Sequence, residues 1–301
     1  MTIQENDAGQ TVEKYLRKAF RQLPASLMHK AIRNKKIKVN RKRCQPKQLL
    51  ACGDRLQLFL PPDVLEPADF VPNHRPLQTV WENRDLIVLY KPAGLLSQKD
   101  QPGVQDDLNS RLQTMLRERG DWDPDKDRSF RPAAAHRLDR NTSGLVLAGK
   151  TARGAREAAR LIQEGRLEKH YHALVQGNVE KPEKLRLWLK KDGTRALVSD
   201  KPGEGFQEAR MEVTPLKRER DLTLCDVNLE TGRFHQIRAM MAFTGHPLEG
   251  DVKYGGRPGN PYYLEAFRLC LDGECIDLND HPEVDRRDTE GRILSPWAQV
   301  K

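Results

Sequence analysis

Four stretches of this chain concentrate side chains able to do chemistry. The first is HRLDRNTSGLVLAGK, residues 136–150, where Asp139 lies between two arginines ahead of a Thr-Ser-Gly turn and an apolar run. That order puts the carboxylate on a loop entering a buried strand, a place where loops commonly carry function. An aspartate is anionic at neutral pH without an activating base, so it can serve as a nucleophile or stabilise an oxocarbenium-like sugar. Taken alone, a loop aspartate ordinarily caps a turn. The second stretch, LYKPAGLLSQ at 89–98, offers Lys91, although Lys91-Pro92 with Gly94 by itself reads as a strand-ending turn. The third, EKHYHALVQG at 168–177, sets Tyr171 between His170 and His172, the alternation of a strand with a half-buried aromatic. The fourth is TGRFHQIRAMMAFTGHPLEGDVKYGG at 231–256. Its TGR turn leads into a helix with Ile237, Met240, Met241 and Phe243 on a core face, Gly245 as its stop and Arg238 aboard.

The elements that must position these residues follow from periodicity. Apolar stretches at Leu86 to Tyr90, Gly144 to Ala148, Lys169 to Val175 and Leu222 to Leu229 predict strands, and the alanine-rich run Thr151 to Gly165 predicts a helix. The class is α+β. Ahead of them, Val12, Tyr15, Leu16, Ala19, Phe20 and Leu23 recur at helical spacing, with Thr11 as N-cap and Pro24 closing the run. Leu27, Met28, Ala31 and Ile32 suggest a second short helix. Ile37 and Val39 alternate with lysines before a turn at Asn40-Arg41, and Leu56, Leu58 and Leu60 alternate as another strand. Between Pro61 and Pro76 five prolines without periodicity read as a semi-rigid linker. The division predicted is a small module at 1–62, a linker at 63–76 and the main domain at 77–301; the polar stretch Asp272 to Arg292 is expected to be partly loop.

Charge supports that division. The formal charge is +9, yet residues 1–60 hold 14 Lys+Arg against 4 Asp+Glu, so the excess sits in the front module. Lys30, Arg33, Lys35, Lys36, Lys38, Arg41, Lys42 and Arg43 cluster at its helix-to-strand junction, and a compact cationic surface of this kind suits phosphate backbones. A merely solvated basic face is the plainer reading. No apolar stretch reaches the length of a membrane span, and the acidic, polar N-terminus does not resemble a signal peptide. Five cysteines without CxxC spacing argue against a disulfide framework and a zinc site, and no metal is expected. A reduced cytoplasm is the expected location.

The four stretches, in this order, resemble the RluA-type pseudouridine synthases. His136 to Gly144 reproduce the HRLDRxTSG signature, residues 89–98 resemble the KPxG segment, 168–177 the KxYxALVxG segment, and 231–256 match TGRxHQIR and the GHPxxGDxxYG after it. Gln98 stands where a histidine often closes the KPxG segment, and Ala239-Met240-Met241 replace the usual residues after HQIR. The front module is similar to the RNA-binding module of ribosomal protein S-four, including Gly53-Asp54 before its last strand, with Arg41 where a turn glycine is familiar.

The resemblance implies a pseudouridine synthase fold with a central, mostly antiparallel sheet. It also implies isomerisation of specific uridines in structured RNA, most often large-subunit ribosomal RNA, with Asp139 as the catalytic carboxylate. It implies that Arg238 pairs with Asp139, that Tyr171 contacts the target base, and that Arg137 and Lys91 support the site. Nothing is oxidised in that reaction, so no cofactor is expected, and a monomer is the expected state. Whether the aspartate adds to the anomeric carbon, adds to base carbon six or promotes elimination stays open. Two rivals stand beside this reading. One is a non-catalytic RNA-binding ribosome-assembly factor that retains the fold. The other is a glycosidic hydrolase, which needs a second carboxylate such as Glu249 or Asp251 near Asp139, although the GHPxxGD context of those two favours a structural loop.

Overall fold

The computed structural model describes residues 1–66, 70–101, 103, 105–259 and 261–293. Helix α1 (Val12–Ala19) starts at Thr11, whose hydroxyl accepts from the Lys14 N–H, and buries Val12, Tyr15, Leu16 and Ala19. It ends before Pro24. Phe20 and Leu23 are still buried, but in a turn, and Pro24 precedes α2 (Ala25–Arg33), where its missing N–H costs no helical hydrogen bond. Strands β1 (Ile37–Val39), β2 (Lys42–Arg43) and β3 (Leu56–Leu58) pair antiparallel in the order β2-β1-β3. The β1–β2 turn has positive φ at both Asn40 (50°) and Arg41 (64°), the geometry for which Asn-Gly is the usual pair. Arg41 adopts it beside an Asn40 that is tied on two sides, donating to Asp54 and accepting from the Arg55 N–H, both at 2.8 Å. Asp54 and Arg55 thereby anchor the hairpin.

The linker stretch contains a single 3-10 turn, Pro62–Leu65, and its residues 67–69 lie outside the described residues. Beyond it the chain builds one large sheet. Its strands are β4 (Gln78–Glu82), β5 (Leu86–Lys91), β6 (Ala133–Ala134), β7 (Ser143–Gly149), β8 (Leu167–Gln176), β9 (Glu183–Asp192), β10 (Arg195–Ser199), β11 (Gln207–Glu219), β12 (Leu222–Leu229), β13 (Leu264–Leu271) and β14 (Glu274–Asp277). The order along the sheet is β10-β9-β11-β12-β8-β13-β7-β5-β4, with β6 on β7 and β14 on β13. Every pairing is antiparallel except β13 with β7. Helices α3 (Leu108–Glu118) and α5 (Gln236–Phe243) cover one face, packing Leu112, Leu116, Ile237 and Met240 against Leu89, Val146 and Val227. Helix α4 (Ala152–Gln163) packs Ala158 and Leu161 on the other face, against Val88, Leu145 and Leu147. Strands β5 and β7 are buried along their whole length because both faces are covered, which is why they read as unbroken apolar runs.

The glycine of the Thr-Ser-Gly turn has a steric reason. Gly144 has φ 118° where β7 meets β13, and a Cβ there would lie 2.3 Å from the Ala266 carbonyl oxygen. The cysteine spacing predicts no disulfide framework, whereas Cys270 and Cys275 face each other across the β13–β14 hairpin and are joined. Register, which is invisible in the spacing alone, brings them together. The front module has its own core, from Ile3 to Leu56, yet it is docked on the 127–129 loop and the start of α4. Asp7, fully buried, accepts from the Ser129 N–H (2.9 Å), the Ser129 hydroxyl (2.5 Å) and the Arg128 N–H (3.2 Å), while Asn6 accepts from the Ala152 N–H (2.9 Å).

Candidate active site

The loop bearing Asp139 is strapped to the turn that follows β5. Lys91, fully buried, donates from Nζ to the carbonyls of Pro92 (3.0 Å), Leu95 (2.8 Å) and Arg140 (3.1 Å). Burial pushes its ammonium down to about 7, opposed by the charge of Asp139; three carbonyl acceptors favour the three-donor protonated form. The Gly94 N–H donates to the Arg140 carbonyl (2.8 Å), and the Ser97 hydroxyl bridges the Leu138 carbonyl (2.8 Å) and N–H (3.0 Å). Lys-Pro-Ala-Gly is therefore more than a strand-ending turn. It is the seat of the loop that carries Asp139.

Asp139 keeps 22% of its side chain exposed on a cleft of about 240 Å³ lined by residues of all but the second stretch: Arg137, Asp139, Tyr171, Phe234, His235 and Arg238 among them. That volume lies just below the range for whole drug-sized ligands and suits a single nucleoside better than a helix. Arg238 reaches Asp139 Oδ2 with Nη1 at 3.4 Å, but its two-pronged bond goes elsewhere. Nε and Nη2 grip the carboxylate of Asp251, which is 2% exposed, at 2.6 and 2.8 Å. The guanidinium also lies between the rings of Tyr262 (4.6 Å) and Tyr254 (5.1 Å). Burial opposes its charge, and the bonds and charge of Asp251, with Tyr262 and Asp139 beyond, more than reverse that and hold it firmly protonated. The expected pairing of Arg238 with Asp139 thus becomes a shared one. Asp251 fixes the fork, and one prong is left for Asp139.

Tyr171 lies on β8, 5% exposed, with its ring in the cleft wall; burial and the nearby charge of Asp139 both raise its phenol, which stays protonated. Arg137 is exposed at the cleft mouth. Glu249 is drawn away to Gln176 (2.7 Å) and Arg257 (3.0 Å) and takes no part. The residues that sequence reasoning left without a role are Ser97, His235 and Tyr254, all inside quoted motifs, and Tyr262, for which no motif gives a signal; Asp251, weighed only as a hydrolase's second carboxylate or a loop residue, is instead the partner of Arg238. Among the described residues no group of three or more His, Cys, Asp or Glu side chains could hold a metal ion, and no helix is long and apolar enough to cross a membrane.

The eight module cations lie elsewhere. Seven are exposed; Lys38 is half-buried, with its ammonium 5.6 Å from the centre of the Phe59 ring. None of them forms an ion pair among the described residues, so their charges stay open to an anionic partner.

Comparison with known proteins agrees with this geometry. Residues 85–243 match the family model described as RNA pseudouridylate synthase. The chain is 31% identical over 295 residues to the ribosomal large subunit pseudouridine synthase C of Vibrio vulnificus, covering 94% of this chain and 89% of that one. It is 30% identical over 272 residues to the ribosomal large subunit pseudouridine synthase D of Escherichia coli O157:H7, covering 90% and 80%. In fold it is similar to human RNA pseudouridylate synthase domain containing 1, with a TM-score of 0.53 at 24% identity, covering 70% of this chain and 84% of that one. The matched segment begins just before β5 and ends with α5, so it holds Lys91, Asp139, Tyr171 and Arg238. An anionic carboxylate aimed by a buried arginine beside an aromatic wall, and these matches, lead to one conclusion: the chain belongs to the RNA pseudouridine synthase family, of RluA type, and isomerises uridine to pseudouridine in RNA.

Proposed function

We propose that the substrate is large-subunit ribosomal RNA, engaged by the basic front module and modified in the Asp139 cleft. The observation that carries the catalytic part is the convergence of Asp139, Arg238 and Tyr171 on one small cleft. A stacked uridine hides its glycosidic bond, so the target nucleoside is flipped into the cleft and packed against Tyr171. Asp139 then attacks or stabilises the sugar–base unit while Arg238 holds the carboxylate's orientation. Lys91 acts from behind, seating the loop, and Arg137 meets RNA at the mouth. The glycosidase alternative loses support, because Asp251 is committed to Arg238 and Glu249 faces away. The names of the two bacterial relatives favour ribosomal RNA as substrate.

The front module at 1–62, joined through 63–76 to a catalytic part at 77–301, supplies phosphate contacts through Lys30, Arg33, Lys35, Lys36, Lys38, Arg41, Lys42 and Arg43. The protein acts as a cytoplasmic monomer in this reading. Mapping pseudouridine across cellular RNA with and without the gene tests it. Loss of one or a few sites in large-subunit ribosomal RNA is expected; loss confined to transfer RNA would overturn the substrate assignment.

A further inference from the structure

Asp139 has a second neighbour. Nε2 of His235 lies 3.7 Å from Asp139 Oδ2, the same oxygen that Arg238 approaches at 3.4 Å. On its other side, Nδ1 of His235 lies 2.9 Å from the hydroxyl oxygen of Tyr254. That oxygen already accepts from the Ala196 N–H at 2.7 Å. Ala196 lies on β10, the edge strand of the sheet, where a main-chain N–H facing away from β9 has no strand to pair with. With the oxygen already accepting once, the Tyr254 O–H is best satisfied by donating to His235 Nδ1; the opposite direction would leave the phenol proton without a protein acceptor among the described residues. An Nδ1 that accepts puts the ring proton on Nε2, facing Asp139.

From this chain of bonds we infer that His235, fixed as the Nε2–H tautomer by Tyr254, is a positioning residue that joins Arg238 in claiming Oδ2 of Asp139 and leaves Oδ1 for the uridine. Two further observations support it. His235 begins α5 in the left-handed region (φ 53°, ψ 29°), which a non-glycine residue adopts only at a cost, and its ring is stacked on Phe234 at 3.8 Å between centroids. The backbone strain and the stack both serve to place the imidazole. Burial pushes its titration down to about 4, against the pull of Asp139 and with Arg238 and Lys253 adding to the fall, so at neutral pH the ring is an uncharged donor. At 3.4 and 3.7 Å both donors stand within charge-interaction reach of the same carboxylate oxygen.

The inference rests on Asp139 being the reacting carboxylate, and its test separates the two. In full-length protein labelled with 15N-histidine, long-range proton–nitrogen correlation identifies the tautomer of His235, assigned by the loss of its signals in His235→Gln. The Nε2–H form is expected at neutral pH, and in Tyr254→Phe it should give way to a mixture or to the Nδ1–H form. Tyr254→Phe keeps the ring beside Arg238 and should lower kcat about five- to tenfold, the effect of one neutral hydrogen bond, with KM unchanged. In a His235→Gln background, where no tautomer remains to be fixed, adding Tyr254→Phe should cost nothing further. A wild-type Nδ1–H tautomer, or the same kcat loss in both backgrounds, would overturn the proposal. If instead Asp139→Asn retained activity, the reacting group would be misassigned while the tautomer result still stood.

Discussion

Asn in place of Asp139 keeps the shape of the side chain and removes its charge. RNA binding should survive and turnover should not, with a loss exceeding about a thousandfold, because a neutral amide replaces neither a nucleophile nor a charge stabiliser. Tritium release from carbon-five-labelled uridine, run beside a binding titration, decides this; turnover within tenfold of wild type would move the chemistry to another residue. Asp251 gives a prediction of a different kind, since it touches Arg238 and not the cleft. Asp251→Asn should lower kcat about ten- to a hundredfold with KM near wild type, because a guanidinium released from its two-pronged bond no longer aims its remaining prong. Arg238→Met should do more harm to the fold than Asp139→Asn. It strands Asp251, a buried carboxylate, without its cation, for which the expected loss of unfolding free energy is about 3–5 kcal/mol. A urea titration of Arg238→Met matching wild type would mean that the buried pair is not the anchor described.

At the scale of elements, His136 shows how the loop bearing Asp139 is tied to the strand it enters. Its Nε2 accepts from the Leu147 N–H of β7 at 3.1 Å, and burial, with the charge of Lys169 added, pushes its titration down to about 3. The native state therefore binds fewer protons than the unfolded chain between about pH 3 and the ordinary histidine value near 6.5. The stability it contributes is complete above that ordinary value and is lost as pH falls towards 3. His136→Gln, whose carbonyl accepts the same N–H without titrating, should flatten the fall of Tm below about pH 6.5. An unchanged acid slope would rule His136 out as its source.

Elements with strong local signals could be read from the chain. Strand β12 runs over Leu222–Leu229 as its apolar run predicts, and the α4 cap is Thr151, accepting from the Gly154 N–H. Strands β9 to β11 escaped because they are rich in charge: β9 reads Glu-Lys-Leu-Arg-Leu-Trp-Leu-Lys-Lys-Asp, and its burial comes from α5 and its neighbours. The site divided in the same way. Motif order brought Asp139, Tyr171 and Arg238 together, but the sharing of Arg238 depends on a loop that returns 13 residues later, and Tyr262 arrives from the entry to β13. Distances of that kind are set by tertiary packing.

At the scale of the molecule, the docking of the front module decides how its role must be tested. Asp7 is raised by burial and held by Ser129 and Arg128, and Asn6 caps the start of α4. Truncating residues 1–62 would remove the module's exposed cations and leave those main-chain donors at Ser129, Arg128 and Ala152 without partners, mixing two effects. Charge neutralisation separates them. Changing Lys35, Lys36, Arg41 and Arg43 together to Gln touches four exposed residues with no ion pair among the described residues, so Tm should stay within a few degrees of wild type. RNA affinity should fall, and the slope of log K against log salt should become shallower by about 0.7–0.9 for each phosphate that is no longer neutralised. The efficiency of pseudouridine formation should drop mainly through KM, since binding that is equal in the ground and transition states does not alter the chemical step. Measuring the salt slope and the two kinetic constants on one RNA fragment checks all three. An unchanged slope would show that RNA passes the module by, and the basic surface would then be a solvated face.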